Sequence, residues 1–176
     1  QPATVAVLTS VPSSALADML RTAAERWPMT QLIVVPIPVQ GAVASTIIST
    51  LEGLAERSDE LGIQALVLAR GGGSREDLAV FDDEGLCRVL ARYPVPVVTG
   101  LGHEDDLTVA DLVADHRAAT PTAAIVALLP DREAARQGLD QRQNRLREAL
   151  RGRLVRERER IQDRAFALKQ QSPLER

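Results

Sequence analysis

Aromatic side chains are almost absent from this sequence, which has one Trp, one Tyr and two Phe among its 176 residues. Because 45% of the residues are apolar, a core must be built mainly from Val, Leu, Ile and Ala, which bury readily. The single cysteine, Cys87, excludes an internal disulfide framework and is typical of a reducing compartment. Since the two histidines and the cysteine are dispersed, we expect no zinc site.

The sequence also lacks an apolar run of about 18 residues, so we expect no transmembrane helix. No basic segment followed by an apolar one opens the chain, which argues against export. We therefore expect a soluble, cytoplasmic protein that does not bind membranes.

Lysine is nearly absent, since every basic side chain except Lys169 is an arginine. Residues 1–130 carry 8 arginines against 16 carboxylates, a net charge of −8. Residues 131–176 carry 13 basic against 8 acidic side chains, a net charge of +5. This contrast predicts two regions of different construction, an α/β domain over 1–130 and the beginning of a long helical extension over 131–176.

In the first region, short continuous apolar runs alternate with helix-like segments. The predicted strands are Thr4–Thr9, Gln31–Val39, Gln64–Ala69 and Val95–Thr99. The predicted helices run from Ser13 or Ser14 to Trp27, over 43–61, from Ser74 to Arg92, from Glu104 to Ala114, and from Thr120 to about Leu129. This alternation predicts an α/β fold with a doubly wound, mainly parallel sheet covered on both faces.

From residue 131 the sequence is one long helix-forming stretch rich in Arg, Gln, Glu and Leu. Its apolar side chains recur every seven residues in two series, Leu139 and Leu146, then Leu154, Ile161 and Leu168. Such spacing is typical of a coiled-coil seam. We expect a long C-terminal helix that starts a coiled-coil-like extension and packs against a partner.

The turn after the third predicted strand, residues 70–77, reads Arg-Gly-Gly-Gly-Ser-Arg-Glu-Asp. Glycines let backbone N–H groups converge, a helix N-terminus adds partial positive charge, and Arg70 adds a full charge. Ser74 with Asp77 is close to a capping box, which predicts a helix start here. The combination predicts an anion site suited to phosphate. Because the G-x-G-x-x-G spacing is absent, an ordinary strand-to-helix turn is the alternative.

The fourth predicted strand ends in a turn, residues 100–102, followed by His103 and three acids. On a helix, His103 and Asp106 would share one face, and histidine titrates near neutrality, as an acid/base group must. Asp18 lies on the helix after the first strand. Since ligands of doubly wound folds bind beyond the carboxyl ends of the strands, Asp18, Arg70, His103 and Asp106 form a candidate set for phosphoryl-ester hydrolysis.

Several of these residues also have an ordinary structural interpretation. The structural interpretation of His103 is a helix cap, that of Asp18 is a solvated side chain, and that of His116 is a residue of a polar turn. A Mg²⁺ ion on Asp105 or Asp106 is chemically allowed, but no clear ligand set indicates it, so no metal-binding residue is predicted.

Three motifs occur in order: Gly-Gly-Gly-Ser-Arg-Glu-Asp-Leu at 71–78, Gly-His-Glu-Asp-Asp-Leu-Thr-Val-Ala-Asp at 102–111 and Thr-Pro-Thr-Ala-Ala at 120–124. Together they resemble the catalytic region of the exodeoxyribonuclease VII large subunit, over about residues 3–130 and on into the helical tail. Two positions depart from the family pattern: residues 11–15 lack its glycine, and Asp82 replaces its usual asparagine. Because the sequence starts at the first strand, we expect a fragment without the family's N-terminal OB-fold.

The resemblance implies a nuclease that hydrolyses single-stranded DNA from both ends to 5′-phosphorylated oligonucleotides. It further implies assembly with several copies of a small helical subunit through the long helix. The catalytic residues it implies are Asp18, Arg70, His103 and Asp106. The phosphate-binding residues are Arg70, Gly71, Gly72, Gly73, Ser74 and Gly102.

In this interpretation, Arg70 and the glycine amides meet the scissile phosphate. His103 is the general acid or base, oriented by Asp106, and Asp18 positions the attacking water or a second polar group. Two alternatives remain open. One is a non-catalytic docking fragment, since an acidic core with few aromatics suits single-stranded DNA poorly, so that the isolated fragment would be weakly active or inactive. The other is a nucleotide-binding α/β domain that uses the glycine-rich turn.

Overall fold

The computed structural model describes residues 2–38, 43–71, 75–102 and 106–171. The strands are β1 (Thr4–Thr9), β2 (Gln31–Pro36), β3 (Ala65–Ala69), β4 (Val97–Gly100) and β5 (His116–Arg117). The α-helices are α1 (Ser14–Arg26), α2 (Ala44–Glu56), α3 (Glu84–Leu90), α4 (Val109–Val113), α5 (Pro121–Leu128) and α6 (Arg132–Gln171). A 3-10 helix covers Arg75–Asp82.

The five strands form one sheet in the order β2-β1-β3-β4-β5, and every neighbouring pair is parallel. Parallel neighbours need crossover connections, and the helices between the strands supply them. The sheet confirms the predicted α/β, doubly wound fold. The strand order is that of a flavodoxin-like sheet, in which the order reverses between β1 and β3.

Alternate residues of the strands enter two separate hydrophobic clusters. Val5 and Val7 pack in one cluster with Met19 of α1 and Ile125 of α5. Leu8 of β1 lies in the other cluster, whose helical members include Ile47, Leu51, Leu86 and Leu90. Because both faces are covered, all six residues of β1 are buried, which explains a continuous apolar run in place of an alternating one.

Hydroxyl caps begin two of the predicted helices. The Ser13 side chain accepts a hydrogen bond from Leu16 N at the start of α1. Thr120 accepts one from Ala123 N at the start of α5, with Pro121 in the first turn. These bonds satisfy amide groups that a helix start leaves unpaired, and each contributes about 1 kcal/mol. Both starts confirm the sequence prediction.

The third predicted helix, from Ser74 to Arg92, is wrong as a single element. Residues 75–82 form a 3-10 helix, and α3 begins only at Glu84. The side chain of Asp83 accepts a hydrogen bond from Leu86 N, so a second cap interrupts the segment. Phe81, just before this cap, is fully buried. Ser74, the cap predicted from the sequence, lies outside the described residues.

The fourth predicted helix, from Glu104 to Ala114, is also wrong in extent, since α4 covers only Val109–Val113. Its N-cap is Thr108, which forms a capping box with Asp111. In addition, Val109 N donates a hydrogen bond to the carboxylate of Asp82 at 2.7 Å. The capping box and this bond fix the start of α4 at residues 108–109, and residues 106–108 are not helical.

Smaller differences concern strand ends and β5. The second strand ends at Pro36 rather than Val39, and α2 ends at Glu56 rather than near residue 61. His116, predicted to lie in a polar turn, forms β5 with Arg117 and pairs with Val98 of β4. A strand of two residues carries no periodicity, so only its neighbour reveals it.

The chain divides into two compact units, residues 1–132 and 133–176. The described part of the second unit is helical and belongs to α6, whose 40 residues would span about 60 Å. Its seam side chains are more than half exposed. None of the helices within the described ranges is both long and apolar enough to cross a membrane.

Candidate active site

The carboxyl ends of β1 and β3 lie side by side where the strand order reverses. Connections leave the sheet in opposite directions there, so a crevice opens between them. A Cβ on Gly71, directly after β3 and Arg70, would lie 3.2 Å from the Cβ of Ala15. The start of the glycine-rich turn therefore contacts the first turn of α1, the helix that carries Asp18.

Arg70 follows β3 and is held at both its backbone and its side chain. Its N–H donates to the carbonyl of Gly100 at 3.1 Å, which extends the β3–β4 pairing by one residue. Its Nη2 lies 2.7 Å from Oδ2 of Asp77, and only 3% of the Arg70 side chain is exposed. The structure thus places a fixed positive charge at the end of β3, with Asp77 setting its direction.

Asp77 is a residue whose role the sequence interpretation missed. Its spacing from Ser74 suggested a cap, and Ser74 lies outside the described residues; the structure shows the Asp77 carboxylate binding the guanidinium of Arg70. The available signal was the combination of an arginine at the end of an apolar strand with an acid within one or two turns of it. Since buried arginine needs a paired anion, this acid was a candidate partner.

Asp18 lies on α1, where its carboxylate accepts a hydrogen bond from Nη2 of Arg21 at 2.8 Å. Its side chain is 46% exposed. This contact agrees with the ordinary interpretation of Asp18 as a solvated side chain. Asp18 lies one turn after Ala15, which contacts Gly71, and its role in the site stays a prediction.

Asp106 and Gly102 pack tightly against each other after β4. A Cβ on Gly102 would lie 2.8 Å from the Cβ of Asp106, closer than real side chains approach. The backbone carbonyl of Asp106 accepts a hydrogen bond from Nη2 of Arg117 at 3.1 Å. Residue 106 is not helical, since α4 begins only at Val109, so the predicted helix does not include Asp106. His103 lies outside the described residues, and its predicted pairing with Asp106 stays a prediction.

A small cavity of about 110 Å³ lies beside Asp106. Its lining residues are Leu78, Ala79, Asp82, Asp106, Leu107 and Thr108. One polar cavity is thus lined both by the 3-10 helix after β3 and by residues 106–108 after β4.

Four of the predicted site residues lie outside the described residues: Gly72, Gly73, Ser74 and His103. Within the described ranges, no group of three or more His, Cys, Asp and Glu side chains is arranged to hold a metal ion. The described residues of the candidate site supply a buried cation directly after β3, a close approach of Gly102 and Asp106 after β4, and a helix start at the switch point.

Two titratable groups with shifted pKa values lie away from these strand ends. Burial raises the pKa of the Cys87 thiol, and the nearby charges of Asp82 and Asp83 raise it further. Burial raises the pKa of Tyr93 to about 12. Neither group is poised to exchange protons near neutral pH, so neither is a candidate acid or base for the site.

Comparison with known proteins gives one consistent result. The family model described as "Exonuclease VII, large subunit" matches residues 1–176. The chain is 82% identical over 176 residues to the exodeoxyribonuclease 7 large subunit of Synechococcus sp. (strain CC9605), covering 100% of this chain and 46% of that protein.

Other relatives carry the same name. The one from Parasynechococcus marenigrum (strain WH8102) is 71% identical over 176 residues, which is 100% of this chain and 46% of that protein. The one from Campylobacter fetus subsp. fetus (strain 82-40) is 42% identical over 139 residues, 79% of this chain and 35% of that protein. The chain spans about half the length of the curated relatives it matches most fully.

Proposed function

The chain belongs to the exonuclease VII large subunit family, and from this we propose that residues 1–130 are the catalytic domain of a nuclease. Its reaction is hydrolysis of single-stranded DNA from both the 5′ and 3′ ends, with 5′-phosphorylated oligonucleotides as products. The observation that supports this best is that Arg70 and Gly71 follow β3 while Gly102 follows β4, at neighbouring strand ends joined by the hydrogen bond from Arg70 N–H to the Gly100 carbonyl. Gly71 and Gly102 belong to two of the motifs that resemble the family.

The reaction that fits these products breaks the bond between phosphorus and the 3′ oxygen. Water attacks phosphorus, the phosphate stays on the 5′ end of one product, and the other product leaves with a 3′ hydroxyl. In this proposal Arg70 and the amides of residues 71–73 stabilise the charge that develops on the phosphate. Ser74 and Gly102 complete the phosphate-binding set.

His103 is the proposed general acid or base, which takes a proton from water or gives one to the leaving oxygen. Asp106 orients it, and Asp18 positions the attacking water or a second polar group. The orienting role proposed for Asp106 is supported by its close packing against Gly102. We further propose that the protein acts in the cytoplasm, where Cys87 stays reduced.

The long helix suggests the partner. The side chains of its heptad series are 60–69% exposed, and the segment 131–176 carries a net charge of +5. We propose that this seam binds several copies of the small helical subunit of exodeoxyribonuclease VII. The acidic domain of residues 1–130 is expected to bind single-stranded DNA poorly by itself, because phosphate binding requires a positive track.

The decisive test is hydrolysis of single-stranded DNA by the full-length large subunit, with and without its small subunit. Substrates labelled at either end distinguish attack from the two termini, and the product ends are assigned with phosphatase. We expect activity in the complex and a loss of about 10²–10⁴-fold in His103→Ala, with an unchanged circular dichroism spectrum. Near-normal turnover of a folded His103→Ala enzyme would remove His103 from the mechanism, and an inactive wild-type complex would refute the function.

A further inference from the structure

Arg117, the second residue of β5, contacts two other segments, the residues just before α4 and α4 itself. Its Nη2 donates to the backbone carbonyl of Asp106 at 3.1 Å. Its Nε lies 3.9 Å from Oδ2 of Asp111 on α4. Because Arg117 pairs in register with Thr99 of β4, the side chain starts from the sheet itself and not from a loop.

Asp111 is the buried end of this arrangement, with a side chain only 2% exposed. Its Oδ2 accepts hydrogen bonds from the backbone N–H of Thr108 at 3.1 Å and from the Thr108 hydroxyl at 2.9 Å. Its Oδ1 has no hydrogen-bond partner among the described residues. A buried carboxylate that is only partly satisfied attracts a cation strongly, and the cation nearest to it in the described contacts is Arg117.

The other end of the arrangement is the loop after β4. Its two described ends are pressed together, since the Gly102 backbone leaves no room for a Cβ beside Asp106. The hydrogen bond to the carbonyl of Asp106 therefore helps to fix Asp106 beside Gly102. The planar guanidinium presents separate donors to this carbonyl and to the Asp111 carboxylate, a geometry that the compact ammonium of a lysine does not reproduce.

From this geometry we infer that Arg117 is a positioning residue for the nuclease reaction, acting through the backbone of Asp106 and oriented by Asp111. The inference rests on the proposed function and adds two residues to it. Arg117 is 32% exposed and is not assigned a contact with DNA. Its effect is to hold Asp106, the proposed orienting residue, in the position that the acid/base chemistry requires, since small displacements of reacting groups are costly to rate.

The test measures kcat and KM on single-stranded DNA for the full-length large subunit assembled with its small subunit. Arg117→Met keeps the length of the side chain but removes its donors, and we expect kcat to fall on the order of 10²-fold with KM nearly unchanged. Arg117→Lys keeps the charge and one donor direction, so it should recover about a tenth of the wild-type rate. The matched control is Arg57→Met, at an exposed arginine that pairs with Glu60, and it should match the wild-type enzyme.

A second variant separates positioning from general stability. Asp111→Asn removes the charge that orients Arg117, and it should lower kcat by less than Arg117→Met does. Because Asp111 acts through Arg117, the kcat of the double variant should be little lower than the kcat of Arg117→Met alone. If Arg117→Met does not fold, Arg117→Lys and Asp111→Asn decide the question, and wild-type kcat in both overturns the inference.

The remaining outcomes are distinct. A rise in KM with unchanged kcat in Arg117→Met would make Arg117 a DNA contact and overturn its positioning role. Wild-type kinetics in a folded Arg117→Met enzyme would overturn the inference alone. A wild-type complex that does not hydrolyse single-stranded DNA would overturn the proposed function, and the inference with it.

Discussion

Nη2 of Arg70 lies 2.7 Å from Oδ2 of Asp77, and the two partners are unequally buried, with 3% and 26% of their side chains exposed. The pair is therefore a buried arginine held by a carboxylate that still reaches solvent. Removing the carboxylate leaves a buried cation with less compensation, whereas removing the arginine leaves an anion that water can hydrate. The energetic cost of breaking the pair should depend on which side is removed.

The first prediction follows from this asymmetry. Asp77→Ala should lower the free energy of unfolding by roughly 3 kcal/mol, and Arg70→Met should lower it by less. Urea denaturation of both variants at neutral pH measures the two costs. The control is Glu60→Ala, which removes the carboxylate of an exposed pair and should cost under about 1 kcal/mol. A larger cost for Arg70→Met than for Asp77→Ala would contradict this account.

Glycine substitutions test the closure of the loop after β4. Gly102→Ala would place a Cβ 2.8 Å from that of Asp106, so Asp106 and residue 102 must move apart. We expect the free energy of unfolding to fall by about 1–3 kcal/mol, and the full-length complex to hydrolyse single-stranded DNA clearly more slowly. The matched control is Gly53→Ala within α2, where a Cβ meets nothing within 4 Å and should stabilise the helix by about 0.5–1 kcal/mol. Equal effects of the two changes on activity would show that loop closure is not needed.

Tyr93 should make stability fall at high pH. Its buried hydroxyl has no hydrogen-bond partner among the described residues, and burial raises its pKa from 10.0 to about 12. A raised pKa means that the native state holds the proton longer than the unfolded chain does. The contribution of the protonated Tyr93 to the free energy of unfolding is therefore complete below about pH 10 and is lost as pH rises through about 12.

The prediction is that Tyr93→Phe changes the free energy of unfolding at pH 7 by less than about 1 kcal/mol, or raises it, because no hydrogen bond is lost. Between about pH 10 and pH 12, the variant should lose less stability than the wild-type protein. Urea denaturation across this pH range measures how the free energy of unfolding depends on pH in the wild-type protein and in the variant. A large loss at pH 7 would mean that the hydroxyl has a partner.

The seam of α6 should control association. Leu154 belongs to the heptad series and is 69% exposed, whereas Val155 beside it is 55% exposed but outside the series. Leu154→Gln should weaken self-association of the 176-residue chain, or its capture of the small subunit, because one seam contact is lost. Val155→Gln is the control and should have little effect. Light scattering distinguishes them, and a wild-type chain that stays monomeric and ignores the small subunit would contradict the proposal.

Much of the fold could be predicted from the sequence, because its signals act over a few residues. The Thr4–Thr9 run gives a fully buried strand, and Ser13 and Thr120 cap the helices that they precede. The helix from 132 to 171 follows from composition and seven-residue spacing alone. Each of these depends on local periodicity or on one hydrogen bond within a single turn.

What only the tertiary structure decided are the contacts between segments distant in sequence. The start of α4 is set partly by Asp82, whose carboxylate binds Val109 N across 27 positions. β5 exists only because β4 lies beside it, and its Arg117 reaches Asp106 and Asp111 only from that position. The sequence determined which residue types stand at the strand ends, but the sheet order decides which of them meet. Pairing between elements carries no periodic signal along the chain, so the site's geometry could not be predicted before the fold was complete.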